Sequence, residues 1–205
     1  MYLWFMIDKQ ELEQFIAQAM HEDVRGGDYS SLASIDASAQ GKARLLVKDN
    51  GILCGVEVAK AIFEQVDADL RVETHIHEGA VIKYGDVAFH VYGSAISILT
   101  AERLVLNCMQ RMSGIATKTN EYVKAIDGTT AKVIDTRKTT PNLRFLEKYA
   151  VTVGGGSNHR FGLYDMIMLK DNHIDFAGGI PQAIAKTKQY LLDNNKDLKI
   201  IVEAR

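Results

Sequence analysis

Apolar residues at Leu12, Phe15, Ile16 and Ala19 recur at helical spacing, and Asp8-Lys-Gln-Glu11 ahead of them has the form of a capping box. The pattern predicts a first helix over 9–20. His21-Glu-Asp23 and Gly26-Gly-Asp28 then make a polar, glycine-bearing turn. Beyond it, 43–47 and 70–76 read as strands around a helix over 56–66, and 87–92 completes a small sheet. Strand and helix do not alternate cleanly here, which indicates an α+β sandwich. From residue 97 the period changes. A long helical region reaches to 125, with Leu99, Val105, Leu106, Met109 and Met112 among its apolar positions and an expected break or bend at Ser113-Gly114. Thereafter short apolar runs at 132–134, 166–169 and 199–202 recur at roughly the 30-residue spacing of βαβ units. Pro141 and Pro181 stand where first helical turns would begin, ahead of helices over 143–149 and 182–192. This alternation predicts a parallel sheet or a β/α barrel. The fold class is therefore α/β, with an α+β domain over 1–105 followed by a β/α-barrel domain over 106–205.

Composition narrows the function classes. A chain of 205 residues with 47% apolar content can bury a core in one or two domains. Its net charge of -2 argues against a surface adapted as a whole to nucleic acid or anionic lipid, so any basic site must be local. Cys54 and Cys108 stand alone, without a CxxC pair, which speaks against disulfide stapling and a structural zinc site and for a reducing cytoplasm. The apolar stretch 1–7 is too short to span a bilayer and has no basic leader before it, so it reads as a packed N-terminal segment.

Charge then appears in a repeated place. Arg137 and Lys138 follow the run 131–134, Lys170 follows 166–169 and Glu203 follows 200–202. In β/α barrels the carboxyl ends of the strands carry the catalytic groups, and one mouth would collect all four. Gly154-Gly-Gly-Ser-Asn-His-Arg160 adds an imidazole and a guanidinium beside glycines whose amides could approach an anion closely. Each element alone is commonly a polar loop or a solvated surface. Independent surface charges, however, have no reason to recur at the same end of successive strands. His75 and His77 share a strand face with no evident third ligand, and with His90 they read as structural histidines.

Five motifs occur in order: Glu102-Arg-Leu-Val-Leu-Asn107, Ser113-Gly-Ile-Ala-Thr117, Asp135-Thr-Arg-Lys-Thr139, Gly154 to Arg160, and Leu169-Lys-Asp-Asn-His173. Together they resemble quinolinate phosphoribosyltransferase, the carboxylating nicotinate-nucleotide pyrophosphorylase. Glu22-Asp23, Gly27-Asp28 and Gly51-Ile-Leu-Cys-Gly55 extend the likeness over nearly the whole chain. A molybdenum-transport-associated relative, ModD, is similar but differs around the second cationic motif, where Lys170 favours the quinolinate enzyme. The resemblance implies that quinolinate and phosphoribosyl pyrophosphate give nicotinate mononucleotide, pyrophosphate and carbon dioxide. Mg2+ would be bound with the pyrophosphate substrate and not by a dedicated protein site, and no organic cofactor is needed. It further implies that Arg137 and Arg160 grip the substrate carboxylates near Thr136 and His159. Lys138 and Lys170 would serve the acid or the phosphosugar. Glu203 would contact the ribose hydroxyls or the cationic anomeric carbon. Arg103 would be donated across a homodimer interface. No nucleic acid or membrane partner is implied.

Relatives in this family continue beyond the position of Arg205 through several more βα units. The expectation is therefore an incomplete barrel, either a fragment of a longer enzyme or a chain inactive by itself. Two further readings stand beside the enzyme: a noncatalytic remnant that still binds a carboxylate or phosphate, and a structural half that needs a complementary chain.

Overall fold

The computed structural model describes residues 7–203, so the N-terminal segment expected to pack lies outside the described residues except for Ile7, which is buried. The described chain falls into two compact units that divide between Asn158 and His159.

The first unit opens with α1 (Lys9–Asp23), where the Asp8 carboxylate accepts the Glu11 amide at 2.9 Å and so caps the first turn. The helix runs three residues past the expected end because the polar 21–23 stretch continues it. After the short α2 (Tyr29–Ser34) come β1 (Gln40–Leu46), β2 (Gly51–Ile52), α3 (Val56–Val66), β3 (Arg71–Thr74), β4 (Val81–Ile82) and β5 (Val87–Ser94). Strands β1, β5 and β3 form an antiparallel sheet in that order, and β2 pairs with β4. The core joins Val58, Ile62 and Phe63 of α3 to Phe89 and Val91 of β5 and to one side of the next helix. Phe63 and Phe89 meet edge to face, with ring centres 6.1 Å apart.

That next helix, α4 (Ala95–Ala125), is continuous over 31 residues, so the expected break at Ser113-Gly114 does not occur. Ser113 does not bond back into its own helix. Its hydroxyl accepts from the Cys54 amide and donates to the Cys54 carbonyl, both at 3.0 Å. Thr117, one turn on, accepts the Ile52 amide at 2.9 Å. A side chain at Gly51 would run into the Thr117 hydroxyl, so the helix and the 51–54 segment lie in close contact. Helix α5 (Arg144–Val153) follows, and Pro141 is not in its first turn as expected: it stands in a turn whose next residue, Asn142, adopts φ 64°. The run 131–134 is not a sheet strand either. It makes a single parallel bridge, Ile134 to Ser157, and Ile134 is 55% exposed. An apolar run becomes a strand only where a full ladder partner lies alongside, and the stretch 155–158 supplies one bridge.

The second unit realises the expected alternation. Strand β6 (Ile167–Leu169), α6 (Asp171–Ala177), α7 (Ile180–Asp193) and β7 (Ile200–Val202) follow in order, and β6 and β7 are parallel neighbours with Leu169 opposite Val202. Pro181 does fall in the first turn of α7. Among the described residues no helix is long and apolar enough to cross a membrane.

Candidate functional site

In the first unit the loop that carries Arg137 and Lys138 starts from a buried ion pair. Lys148, on the apolar side of α5 and with no exposed side-chain surface, places Nζ 2.5 Å from Oδ1 of Asp135. With its amide nitrogen facing these acceptors, Asn158 donates to Oδ2 of Asp135 at 2.6 Å and to the Lys148 carbonyl at 2.9 Å. Backbone bonds complete the clasp: Asp135 N–H to the Ser157 carbonyl at 3.2 Å, and Ser157 N–H to the Val133 carbonyl at 2.9 Å. Thr136 Oγ1 then accepts the Lys138 amide at 3.1 Å, which fixes the turn that carries Arg137. Further on, Arg144 donates to the Thr139 hydroxyl at 3.0 Å, and Glu147 accepts the Thr140 amide at 3.2 Å and the Arg111 guanidinium at 2.7 Å. The whole 135–140 loop is thereby tied down. Within it Arg137 Nε is buried and meets no hydrogen-bond partner among the described residues. Buried polar groups are nearly always bonded, so this unpaired guanidinium N–H is exceptional in the loop.

The three glycines do something other than cradle an anion. Gly155 takes φ 91° and donates to the Thr152 carbonyl, while Gly156 donates to Val151 and Gly154 to Ala150. This is a Schellman ending of α5, in which the glycine amides are spent on the helix's last carbonyls. Gly154 and Gly156 are also packed against α4, where an added Cβ would run into the Ala116 carbonyl and Thr119 respectively. The glycines turn the chain so that Ser157 and Asn158 come back beside 133–135.

Arg103 is exposed on α4 and lines a cavity of about 410 Å3 with Arg111, Glu22, Asp23, Leu143 and Glu147. Three acids therefore share that hollow with two guanidinium groups. Lys148 and its role are invisible to motif reading, although a charge set among Phe145, Leu146 and Tyr149 on an amphipathic helix was a usable signal.

In the second unit, Lys170 and Glu203 follow the paired ends of β6 and β7. Parallel register sets them side by side, with Glu203 N–H bonded to the Leu169 carbonyl at 2.9 Å and the two charges 3.9 Å apart. Both side chains are open to solvent, so the pair is a loose contact available to a ligand. The Lys170 amide donates to His173 Nδ1 at 3.0 Å, which anchors the start of α6. Arg160 is buried at 8% exposure and donates to the Met166 carbonyl at 3.3 Å. Just beyond it, Asp165 accepts the amides of Phe161 and Gly162 at 2.7 and 2.8 Å and closes that loop.

Comparison with known proteins covers the chain twice over. The quinolinate phosphoribosyl transferase N-terminal domain matches residues 28–113 and the C-terminal domain of the same family matches 115–205. A mitochondrial quinolinate phosphoribosyltransferase [decarboxylating] of Nicotiana tabacum is 43% identical over 196 residues, covering 95% of this chain and 55% of its own length. A probable nicotinate-nucleotide pyrophosphorylase [carboxylating] of Bacillus subtilis is 44% identical, covering 87% of the chain and 62% of that relative. Among solved structures, NadC from Streptococcus pyogenes superposes with a TM-score of 0.89 at 42% identity, covering 97% of this chain and 70% of that one. The chain thus spans about half the length of the curated plant relatives it matches.

Proposed function

The chain belongs to the quinolinate phosphoribosyltransferase family, and on that premise we propose that it supplies the acid-binding part of an enzyme that transfers a phosphoribosyl group to quinolinate with loss of carbon dioxide. The unpartnered Nε of Arg137 carries this reading. Quinolinate is a dicarboxylate, and a guanidinium fork grips a carboxylate with two parallel bonds where an ammonium acts as a point charge. Arg137 and Arg160 hold the carboxylates, and Thr136 and His159 assist them. Lys138 and Lys170 hold the remaining negative charge of the acid or the phosphosugar.

The ring nitrogen attacks the anomeric carbon as the bond to pyrophosphate breaks, and Glu203 stabilises the cationic carbon in passing. The product is a pyridinium, which accepts the electron pair left behind when the adjacent carboxylate departs as carbon dioxide. A proton then takes the vacated ring position. No organic cofactor is required. Glu203 offers one carboxylate at the strand ends, and Mg2+ is commonly held by one or two carboxylates together with substrate phosphates, so the residues fit an ion that arrives with phosphoribosyl pyrophosphate. When bound, such an ion would neutralise charge on the departing pyrophosphate.

We read the enzyme as a homodimer in which Arg103 reaches the partner's substrate. We place it in a reducing compartment such as the cytoplasm, in keeping with a sequence that has no CxxC pair and with Cys54 and Cys108 both free. Calorimetric titration of quinolinate into the purified chain tests the carboxylate assignment. Arg137→Ala and Arg160→Ala are each expected to weaken binding by about tenfold or more, the loss typical of a hydrogen bond to a charged group. Undiminished affinity in both variants overturns the assignment.

A further inference from the structure

We propose that Glu73, His75 and His90 form a binding site for a divalent transition metal, zinc being the ion their donors fit best, on the outer face of the three-stranded sheet. None of the three belongs to the residues assigned to substrate. Their donor atoms all lie within 4.8 Å of one another.

Sheet register explains how they meet. Glu73 on β3 stands directly opposite His90 on β5, where side chains share a face at close range. His75 lies two residues beyond Glu73, and the amides of His75 and Ile76 both bond to the Ala88 carbonyl, at 2.9 and 3.0 Å, which holds this end of the chain against β5. Nε2 of His75 and Nδ1 of His90 come within 2.7 Å, with the rings crossed at 78°. At that separation one ring donates its N–H to the nitrogen of the other. A metal ion fits between them once that proton moves to the other nitrogen of its own ring: zinc bonds imidazole at about 2.0–2.1 Å, so two tetrahedral ligands sit roughly 3.3 Å apart, and the rings need part only by about 0.6 Å.

Glu73 supplies the third donor and is already oriented, since its Oε2 accepts the Tyr92 hydroxyl at 2.8 Å. Metal ligands are characteristically aimed by such outer hydrogen bonds. Glu73 and His75 are exposed, which leaves a fourth position to water. The same face carries Lys42, Arg44 and Arg71, with the Lys42 ammonium and the Arg71 guanidinium drawn over the Tyr92 ring at 4.9 and 5.6 Å. These cations oppose a hard, purely electrostatic ion. Two imidazoles and one carboxylate instead select the borderline metals, since Mg2+ and Ca2+ would find a single oxygen ligand.

Titration of the purified chain with zinc against a chromogenic chelator is expected to give one equivalent bound, with no competition from Mg2+. His75→Ala and His90→Ala should each weaken binding at least tenfold, Tyr92→Phe by about tenfold as an outer-shell loss, and His77→Ala not at all. The site is overturned if the chain takes up no zinc, or if His77→Ala lowers affinity as much as His75→Ala. Should an alanine variant fail to fold, imidazole NMR of the unaltered protein decides: zinc must shift the His75 and His90 rings and leave His77 in place.

Discussion

Lys148 is a charge with no exposed surface, and it is tolerated because Asp135 pairs with its ammonium while Asn158 bonds the other Asp135 oxygen and the Lys148 carbonyl. Breaking such a pair from one side leaves a buried ion without its complement, which costs about 3–5 kcal/mol. Lys148→Met should therefore lower unfolding free energy by about that amount in denaturant titration. Adding Asp135→Asn to it should cost much less than the sum of the two single changes, because both remove the same contact. Additive losses would show that the two residues act separately. The sequence motifs marked Asp135 only as the first letter of a cationic run. They could not reveal it as the clasp, because the partner is thirteen residues away and resembles any surface lysine. Gly154 to Gly156 teach the converse. Their spacing invited an anion-binding reading, yet glycine serves equally where a helix must stop and where two backbones must touch, and sequence alone does not separate these uses.

At the scale of elements, legibility followed how local the determining forces are. Helix α3 was readable to its ends, since apolar period, the glycine at Gly55 and the polar residue after Val66 all agree. What holds its first turn was not. Gly55 offers no side-chain cap, and Glu78 reaches across to accept the Gly55 and Val56 amides at 2.7 and 2.9 Å, an anion placed at the positive end of the helix. Glu78→Ala should cost about 1–3 kcal/mol in thermal or chemical unfolding, since it orphans two amides, and Glu78→Gln should recover part of the loss. Equal stability of all three proteins would remove Glu78 from the cap. Strands depended more on what lay beside them: the runs 131–134 and 166–169 are both short and apolar, but the first finds a single parallel bridge and the second a full ladder, with β7.

For the molecule as a whole, class and family were legible because motif order survives any uncertainty about element ends, while the grouping of the residues was not. The domain boundary expected at 105/106, the meeting of the two family domains at 113–115 and the division of the described chain after Asn158 fall at three different places. The proposed dimer belongs to this scale as well. Sedimentation velocity should find a two-chain species, and a monomer at every concentration would leave Arg103 without a partner to serve. The two family domains meet inside α4, a rod about 46 Å long at 1.5 Å per residue. Its joint is thus a phase relation and not a hinge. One inserted residue would turn everything beyond it by about 100°, sending Thr117 away from Ile52. Exchange of sequence between relatives at this joint is open to substitutions of equal length and closed to insertions, so the spacing from Ser113 to Thr117 works as a fixed gauge between the two domains.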